Sequence, residues 1–233
     1  MNPPDEPSPE SRAVRIKHFF TRHAAIAPWT RRGLKVLNAC ARMNPLQARS
    51  TRVRSLKYLN VGCGKKPISH MINLNYEWYP FVDLTWDITK PLPLPDSSLK
   101  GVYSEHVLEH LPFDAIPGIL SDWKRVLMPE GTIRILVPDA EIYLSKYSAA
   151  KSGERVRFPY HDDQQTNMMM VNRVFRNFEH LYAYDFDTLA RILDSCGFVN
   201  IQRVNHREGG DQNLLVDSEE RAEESLRVEC MKP

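Results

Sequence analysis

Cysteine is scarce in this chain of 233 residues, and its four cysteines form no C-x-x-C pair. They lie far apart in the sequence, at Cys40, Cys63, Cys196 and Cys230. This spacing excludes a disulfide framework and a structural zinc ribbon, and it is typical of a protein of the reducing cytosol. A chain of this length buries enough surface to fold without disulfides or a structural metal.

Long apolar runs are missing as well. None approaches the roughly 20 residues that a membrane-spanning helix requires, so we expect no transmembrane segment. The first ten residues hold four prolines together with Asp5, Glu6 and Glu10, which is the opposite of a secretory leader. We therefore predict a cytoplasmic protein in which residues 1–10 form a disordered tail.

Acidic residues are absent from a long segment near the N-terminus. Residues 11–58 contain twelve Lys or Arg and no Asp or Glu, although the net charge of the whole chain is only +2. Apolar residues at helical spacing, interrupted by Pro28, predict two helices, over 12–24 and 31–43, in a basic extension of residues 11–57.

Such an extension can bind nucleic acid or an anionic membrane surface, or it can pack against the acidic remainder of the chain. We favour the packing interpretation. The extension lacks the aromatic stacking platform of a single-strand binder, so nucleic acid is not the expected partner. Peripheral membrane contact remains open, and the oligomeric state cannot be predicted.

From residue 58 onward, short apolar runs alternate with helical patterns, which predicts a largely parallel sheet covered on both faces. Residues 145–180 look polar, aromatic and irregular, with three consecutive methionines from Met168. The predicted strands cover 59–61, 71–74, 81–86, 101–103, 132–137, 198–204 and 225–231, and the predicted helices cover 114–127 and 186–196. The last strand is expected to pair antiparallel with the one before it.

The first of these strands ends in Gly62-Cys63-Gly64, a tight turn at which the backbone can approach a ligand closely. A dinucleotide-binding fingerprint fails here because its sixth position is Pro67. A phosphate-binding loop fails because Gly64-Lys65 is followed by Lys66. Hydride transfer and nucleotide hydrolysis are therefore not expected.

Five sequence blocks, in order, resemble those of class I S-adenosylmethionine-dependent methyltransferases of the type-11-like subgroup. They are YLNVGCG (58–64), DITKPLPLPDSS (87–98), SEHVLEHL (104–111), RVLMPEG (125–131) and RILVPD (134–139). Residues 180–198 and 218–232 also resemble the subgroup, so the likeness covers most of 58–232. It implies a Rossmann-like α/β fold with a mostly parallel seven-stranded sheet, an antiparallel last strand and helices on both faces.

The resemblance also implies a cofactor, S-adenosylmethionine, and the residues that contact it. Gly62, Gly64 and the Cys63 backbone would lie against its methionine part, with Asn60 near the amino group. The remaining contacts would come from Asn75 to the ribose, Asp87 and Ile88 to the adenine, and Ser104 near the sulfonium. Four residues depart from the family pattern, namely Lys66, Asn75, Lys100 and Glu130.

His106 follows the fourth predicted strand, where the resemblance puts the reacting methyl group. An imidazole with an ordinary pKa of about 6.5 suits a general base for a hydroxyl acceptor, although a structural cap is an alternative. Some ubiquinone-pathway and small-RNA O-methyltransferases carry divalent-metal ligands as E-x-x-E-H at this point. In this sequence the pattern becomes His106-x-x-Glu109-His110. We expect no bound metal, and a metal site formed by these three residues remains the alternative.

The predicted function is methyl transfer from S-adenosylmethionine to a small-molecule or glycan-type acceptor, at oxygen. Residues 58–233 would form the methyltransferase domain, with 145–180 as a substrate-side insertion. Two other functions stay open. One is a cofactor-impaired scaffold protein, suggested by Asn75, Lys66 and Lys100, and the other is a nucleic-acid methyltransferase guided by the basic extension.

Overall fold

The structure, a computed structural model, describes residues 42–160 and 165–233. The predicted tail of residues 1–10, the helix over 12–24 and residues 31–41 of the second predicted helix lie outside the described residues. Arg42–Pro233 forms one compact unit, which begins inside the segment predicted as the basic extension. Within that unit the end of the extension forms a 3₁₀ turn, Pro45–Arg49, and a short helix α1, Thr51–Ser55.

A seven-stranded sheet forms the centre of the unit, in the order β3-β2-β1-β4-β5-β7-β6. All neighbouring strands pair in parallel except β7, which is antiparallel to both β5 and β6. The strands are β1 (Tyr58–Val61), β2 (Ile72–Asn75), β3 (Leu84–Thr85), β4 (Leu99–Glu105), β5 (Leu127–Pro138), β6 (Val199–Arg203) and β7 (Ser225–Met231). The predicted fold class is thereby confirmed.

In the described part of the chain, four longer helices accompany the sheet: α2 (Ile116–Val126), α3 (Ala140–Lys151), α4 (Asn167–Arg176) and α5 (Phe186–Ser195). Helix α2 buries Ile116, Ile119, Leu120, Trp123 and Val126, which is the apolar stripe that its sequence predicts. Asp185 is the N-cap of helix α5, and its carboxylate accepts from the amide of Thr188 at 2.9 Å. None of the helices in the described part of the chain has the length and apolar character needed to span a bilayer.

Two predictions of secondary structure were wrong. The region 145–180 is not irregular, because it holds most of α3 and all of α4, which share a small core of their own around Tyr143, Phe158 and Met170. The third strand is only Leu84–Thr85 rather than residues 81–86. Just before this short strand, the amide of Asn73 in β2 donates to the side-chain carboxylate of Asp83 at 2.8 Å, where a longer β3 would offer a backbone carbonyl.

A buried charge network fastens the loop before β7 to the sheet. Arg134 of β5 is fully buried and donates to Asp217 in that loop at 2.7 Å and to Glu229 of β7 at 2.7 Å. Its guanidinium also donates to the backbone carbonyls of Asn205 and Glu208. This network holds residues 205–217 against the sheet, and the amide of the next residue, Ser218, donates to Glu105 at the carboxyl end of β4, at 3.0 Å.

Candidate functional site

The glycine turn after β1 is shaped by two left-handed glycines, Gly62 with φ +68° and Gly64 with φ +51°. A Cβ on Gly62 would overlap Cγ2 of Val107, so only glycine fits at this position. The amide of Cys63 donates to the carbonyl of Leu74 at 3.0 Å, which ties the turn to β2. The tight turn that the sequence predicts is thus present, and the close approach of a ligand to its backbone stays a prediction.

Two cavities open at the carboxyl ends of β1, β2 and β4. The glycine-turn cavity, of about 370 Å³, is lined by the turn itself, by Lys65 to Ile68 and by residues of the loop before β7. The strand-end cavity, of about 500 Å³, is lined by the ends of β2 and β3 and by the segment after β4. Gly62 and His106 line both, so the two cavities meet at these residues. In open parallel sheets this edge is the usual place for ligands.

The structure brings together all but one of the residues predicted to bind the cofactor. Asn60, Gly62, Cys63 and Gly64 line the glycine-turn cavity. The strand-end cavity is lined by Gly62 and by the other three, Asn75, Asp87 and Ile88. Ser104 lines neither cavity: it is fully buried in β4, and its hydroxyl has no hydrogen-bond partner among the described residues.

Both asparagines predicted to bind the cofactor also form hydrogen bonds within the protein. The amide nitrogen of Asn60 donates to Asn73 at 3.1 Å, and Asn73 in turn fixes the loop around Ile68. Asn75 accepts from the amide of Gly64 at 3.3 Å and donates to the carbonyl of Glu77 at 2.9 Å. Both atoms of the Asn75 amide therefore have partners within the protein.

Asp87 caps its own turn, because its Oδ1 accepts from the amide and the hydroxyl of Thr89, at 3.0 and 2.7 Å. Both bonds use Oδ1, which leaves Oδ2 as the oxygen that can accept from a ligand. Burial raises the pKa of the Cys63 thiol to about 12, which keeps the thiol protonated at neutral pH.

His106 separates the two cavities, and its ring is almost fully buried. Its Nε2 lies 2.8 Å from the hydroxyl of Ser225, and its Nδ1 lies 3.3 Å from the guanidinium of Arg221. Because a guanidinium can only donate, Nδ1 is the acceptor and Nε2 carries the proton. Burial, and after it the charge of Arg221, lowers the pKa of His106 to about 4, so the ring is neutral.

Behind His106 lies a second group of titratable side chains, Glu109, His110 and His180. Glu109 is 1% exposed, and burial raises its pKa to about 7. Sequence spacing could not bring His180 into this group, because it follows Glu109 only after α2, β5, α3 and α4. The sequence did indicate Glu109 and His110 as neighbours of His106.

Sequence reasoning also missed a third cavity and its charged residues. The insertion cavity, of about 390 Å³, lies between Tyr160, Arg173 and Phe178 of the predicted insertion and the segment from Glu220 to Glu224. It shares Lys66 and Arg221 with the glycine-turn cavity, and Lys66 forms an ion pair with Glu220. The sequence predicts a substrate-side insertion at 145–180, which contains Tyr160, but no local signal indicated that Arg173 and Phe178 would meet the segment before β7.

Residues 66–135 match the family model described as a methyltransferase domain. No curated protein matches the sequence. The chain resembles several solved structures. One is a SAM-dependent methyltransferase from Archaeoglobus fulgidus, which is 17% identical and has a TM-score of 0.49. The match covers 92% of this chain and 99% of that one. A second is a SAM-dependent methyltransferase, possible histamine N-methyltransferase, from Thermotoga maritima, with 14% identity, coverage of 81% and 92%, and a TM-score of 0.48.

A third is a possible exported protein from Bordetella parapertussis, with 12% identity and a TM-score of 0.47. The match covers 81% of this chain and spans 66% of that protein's length. The family match, the strand order and the glycine turn at the end of β1 agree with one another. These findings support a class I S-adenosylmethionine-dependent methyltransferase of the type-11-like subgroup over residues 66–135, the part of the chain that the family model matches.

Proposed function

We propose that this methyltransferase acts on an oxygen of a small-molecule or glycan-type acceptor. The observation that carries the proposal is the meeting of the glycine-turn and strand-end cavities at Gly62 and His106. A ligand that spans both cavities has its middle beside His106, which is the candidate general base. The organisation into a catalytic domain of residues 58–233 with a substrate-side insertion, and a cytoplasmic location, belong to the same proposal.

The residues around the two cavities fit the cofactor. Gly62 leaves no room for a side chain, whereas a Cβ on Gly64 would come no closer than 4.0 Å to another atom, the carbonyl oxygen of Gly62, so the backbone of the turn is accessible from the glycine-turn cavity. In the strand-end cavity, Oδ2 of Asp87 can accept from an exocyclic amine, beside the apolar side chain of Ile88. When bound, S-adenosylmethionine supplies an activated methyl group for in-line displacement.

The contribution of the protein is then chiefly to hold acceptor and cofactor in line. Such positioning can supply about 7–11 kcal/mol of the barrier through effective molarity. A hydroxyl acceptor also has to lose its proton, and His106 is the ring nearest to the junction of the cavities. Its Nδ1 becomes available as a base only when Arg221 moves away from it, so we propose that acceptor binding displaces the guanidinium of Arg221.

The insertion cavity is our candidate for the acceptor. Tyr160 and Phe178 are exposed there, and Arg173 lies over both rings, at 5.0 and 5.5 Å from their centroids. Exposed aromatic rings offer flat apolar surfaces on which a sugar or an aromatic ring can stack. Since this cavity shares Lys66 and Arg221 with the glycine-turn cavity, an acceptor bound there would lie next to the residues that border the cofactor.

Calorimetric titration with S-adenosylmethionine and S-adenosylhomocysteine tests the first part of this proposal, with NAD as the control ligand. We expect micromolar binding of both and none of NAD. A screen of hydroxyl acceptors, with matched amines, then tests the choice of oxygen. Transfer to the amines alone would contradict the oxygen assignment while leaving the cofactor assignment intact.

One rival function has a specific observation in its favour. Asn75 is neutral at a position where the family normally has an acid, and both of its amide atoms already have partners within the chain. Absence of cofactor binding at millimolar ligand would favour a cofactor-impaired scaffold protein.

The nucleic-acid rival predicts RNA or DNA binding that falls steeply with salt and is lost when residues 1–41 are deleted. That deletion leaves Val53, a core residue of the compact unit, in place.

A further inference from the structure

Glu109, His110 and His180 form a cluster beside the strand-end cavity that methyl transfer as proposed above does not use. One nitrogen or oxygen atom from each side chain lies within 4.8 Å of the other two. Oε1 of Glu109 is 3.9 Å from Nε2 of His110, and the rings of His110 and His180 meet edge to face with centroids 4.9 Å apart. Ligands of one metal ion, each about 2.0–2.2 Å from it, lie about 3–4 Å apart. Small side-chain rotations would therefore bring the three ligand atoms to the distances that one bound ion requires.

The strongest indication of a bound cation is the isolation of Glu109. Its side chain is 1% exposed, and neither carboxylate oxygen accepts a hydrogen bond from the described residues. Nδ1 of His106 lies 3.1 Å from Oε1, but that nitrogen accepts from Arg221 and has no proton to donate. Burying a carboxylate without a partner costs several kcal/mol, so such groups are normally paired or bound to a metal.

His180 is oriented in the way that a metal-binding histidine requires. Its Nδ1 lies 2.9 Å from the carbonyl of Val174, which can only accept, so Nδ1 carries the proton. In the neutral ring the lone pair is then on Nε2, free to bind a metal. Metal-binding histidines are commonly fixed by a backbone carbonyl in this manner.

The two segments that carry the cluster are fastened together by their backbones. The amides of Leu181 and Tyr182 both donate to the carbonyl of Glu109, at 2.7 and 3.2 Å. His180 is the residue before this pair of bonds, so its distance from Glu109 does not depend on side-chain packing alone. The arrangement is thus held by the scaffold before any ion binds, which lowers the entropy cost of forming a site.

We propose that Glu109, His110 and His180 bind one divalent first-row transition metal ion, such as Zn²⁺. Two imidazoles and a carboxylate suit such an ion better than Mg²⁺, which prefers oxygen ligands. His106 is not a ligand, because Arg221 and Ser225 occupy its ring nitrogens. The set therefore differs from the alternative suggested by sequence spacing, in which His106 took the place of His180.

Three protein ligands leave a coordination position for a further oxygen or nitrogen. His110 also lines the strand-end cavity, so a molecule bound in that cavity can reach this position. Binding of the metal does not depend on the proposed function.

The test is direct metal binding by the tag-free full-length chain after treatment with a chelator. Calorimetry with Zn²⁺ should give one ion per chain, and Co²⁺ should give the visible absorption bands of a nitrogen- and oxygen-ligated ion. Zn²⁺ should also raise the midpoint of thermal unfolding, because it binds the folded chain preferentially. No S-adenosylmethionine is added, so the result is independent of cofactor binding.

Variants then assign the site. Glu109→Gln keeps the shape of the side chain and should weaken Zn²⁺ binding at least tenfold, and His180→Gln should do the same. His70→Gln is the matched control, because His70 is an exposed histidine outside the cluster, with its Nε2 2.9 Å from the carbonyl of Asn213 and its ring edge to face with Tyr58. If a variant of a buried ligand does not fold, His110→Gln serves instead, since that side chain is 37% exposed.

Loss of tight Zn²⁺ binding in the cluster variants but not in His70→Gln would support the proposal. Zn²⁺ binding that is absent in the parent chain, or equally tight in Glu109→Gln, would overturn it and leave Glu109 as a protonated buried acid. A chain that binds S-adenosylmethionine but no metal contradicts only this inference. A chain that binds metal but no S-adenosylmethionine contradicts only the proposed function.

Discussion

The side chain of Val107 lies against Gly62 and occupies the space that a Cβ on Gly62 would need. The contact joins the turn after β1 to the segment after β4, and it lies where the two cavities meet. The identity of residue 62 is therefore set by packing as well as by its backbone angle. Gly64, two residues on, has the same left-handed conformation but no such neighbour.

The first prediction uses this difference. Gly64→Ala should lower the free energy of unfolding by about 1–2 kcal/mol, the cost of a left-handed alanine. Gly62→Ala should lower it by a further amount of about 1–3 kcal/mol, because the new methyl group also overlaps Val107. Urea unfolding of the two variants gives the comparison. Equal losses would mean that Val107 moves aside freely.

A second prediction concerns Asp87. Asp87→Ala should weaken binding of S-adenosylmethionine by about 1–3 kcal/mol, because the adenine amine loses a charged acceptor. The matched control is Asp114→Ala, which removes an exposed carboxylate on the 3₁₀ turn Phe113–Ala115. Calorimetry measures both. Unchanged affinity in Asp87→Ala would show that the adenine lies elsewhere.

His106 provides the third prediction. His106→Asn should slow methyl transfer to a hydroxyl acceptor by about 10²–10⁴-fold if the imidazole is the base. Asparagine is the replacement of choice because residue 106 has a φ of +52°, a conformation that asparagine tolerates better than alanine. Affinity for S-adenosylhomocysteine should stay nearly the same. Turnover equal to that of the parent would demote His106 to a structural residue.

The fourth prediction concerns the buried guanidinium of β5. Arg134→Met should lower the free energy of unfolding by about 3–5 kcal/mol, because Asp217 and Glu229 are left buried without their partner. Arg203→Met is the control: Arg203 pairs with Asp139 and Glu141, but its side chain is 45% exposed. We expect a loss of about 1 kcal/mol or less there. Similar losses in the two variants would contradict the importance of burial.

The fifth prediction is a pH dependence. Burial alone would raise the pKa of Asp217, but the hydrogen bonds and charge of Arg134 hold it below its ordinary value of 3.8. A carboxyl with a lowered pKa stabilises the fold above its ordinary pKa and loses that contribution as the pH falls through the lowered value. The stability difference between the parent and Asp217→Asn should therefore be constant near neutral pH and shrink in acid. A difference that grows on acidification would contradict this assignment.

Local patterns were sufficient to predict the parts of the fold that are apolar and clearly bounded. Each of three elements can be recognised from about a dozen consecutive residues: the apolar face of α2, the apolar strand β5 and the glycine turn after β1. Helix α3 was missed because it buries only Ala140 and Tyr143, so its sequence shows no broad apolar face. The N-cap Asp139, which accepts from the amide of Glu141 at 3.0 Å, was the signal that could have revealed it.

The residues of the site that belong to one continuous turn could be predicted from the sequence. The contacts between segments that are far apart in the sequence could not. Gly62 and Gly64 follow directly from the strand before them. The contacts of His106 with Arg221 and Ser225, by contrast, depend on how β7 returns between β5 and β6. The same is true of His180, which reaches Glu109 only through the backbone bonds of Leu181 and Tyr182.

The position of β7 has a consequence for synthesis of the chain on the ribosome. Strand β6 is paired only with β7 in the described part of the sheet, yet β7 is made later, after the loop that contains Asp217. Until then β6 has no neighbour, and β5 presents an unpaired edge to the surroundings. Open strand edges invite pairing with other chains. The nascent protein thus passes through a stage in which the edge of β5 stays open until β7 is made and pairs with it.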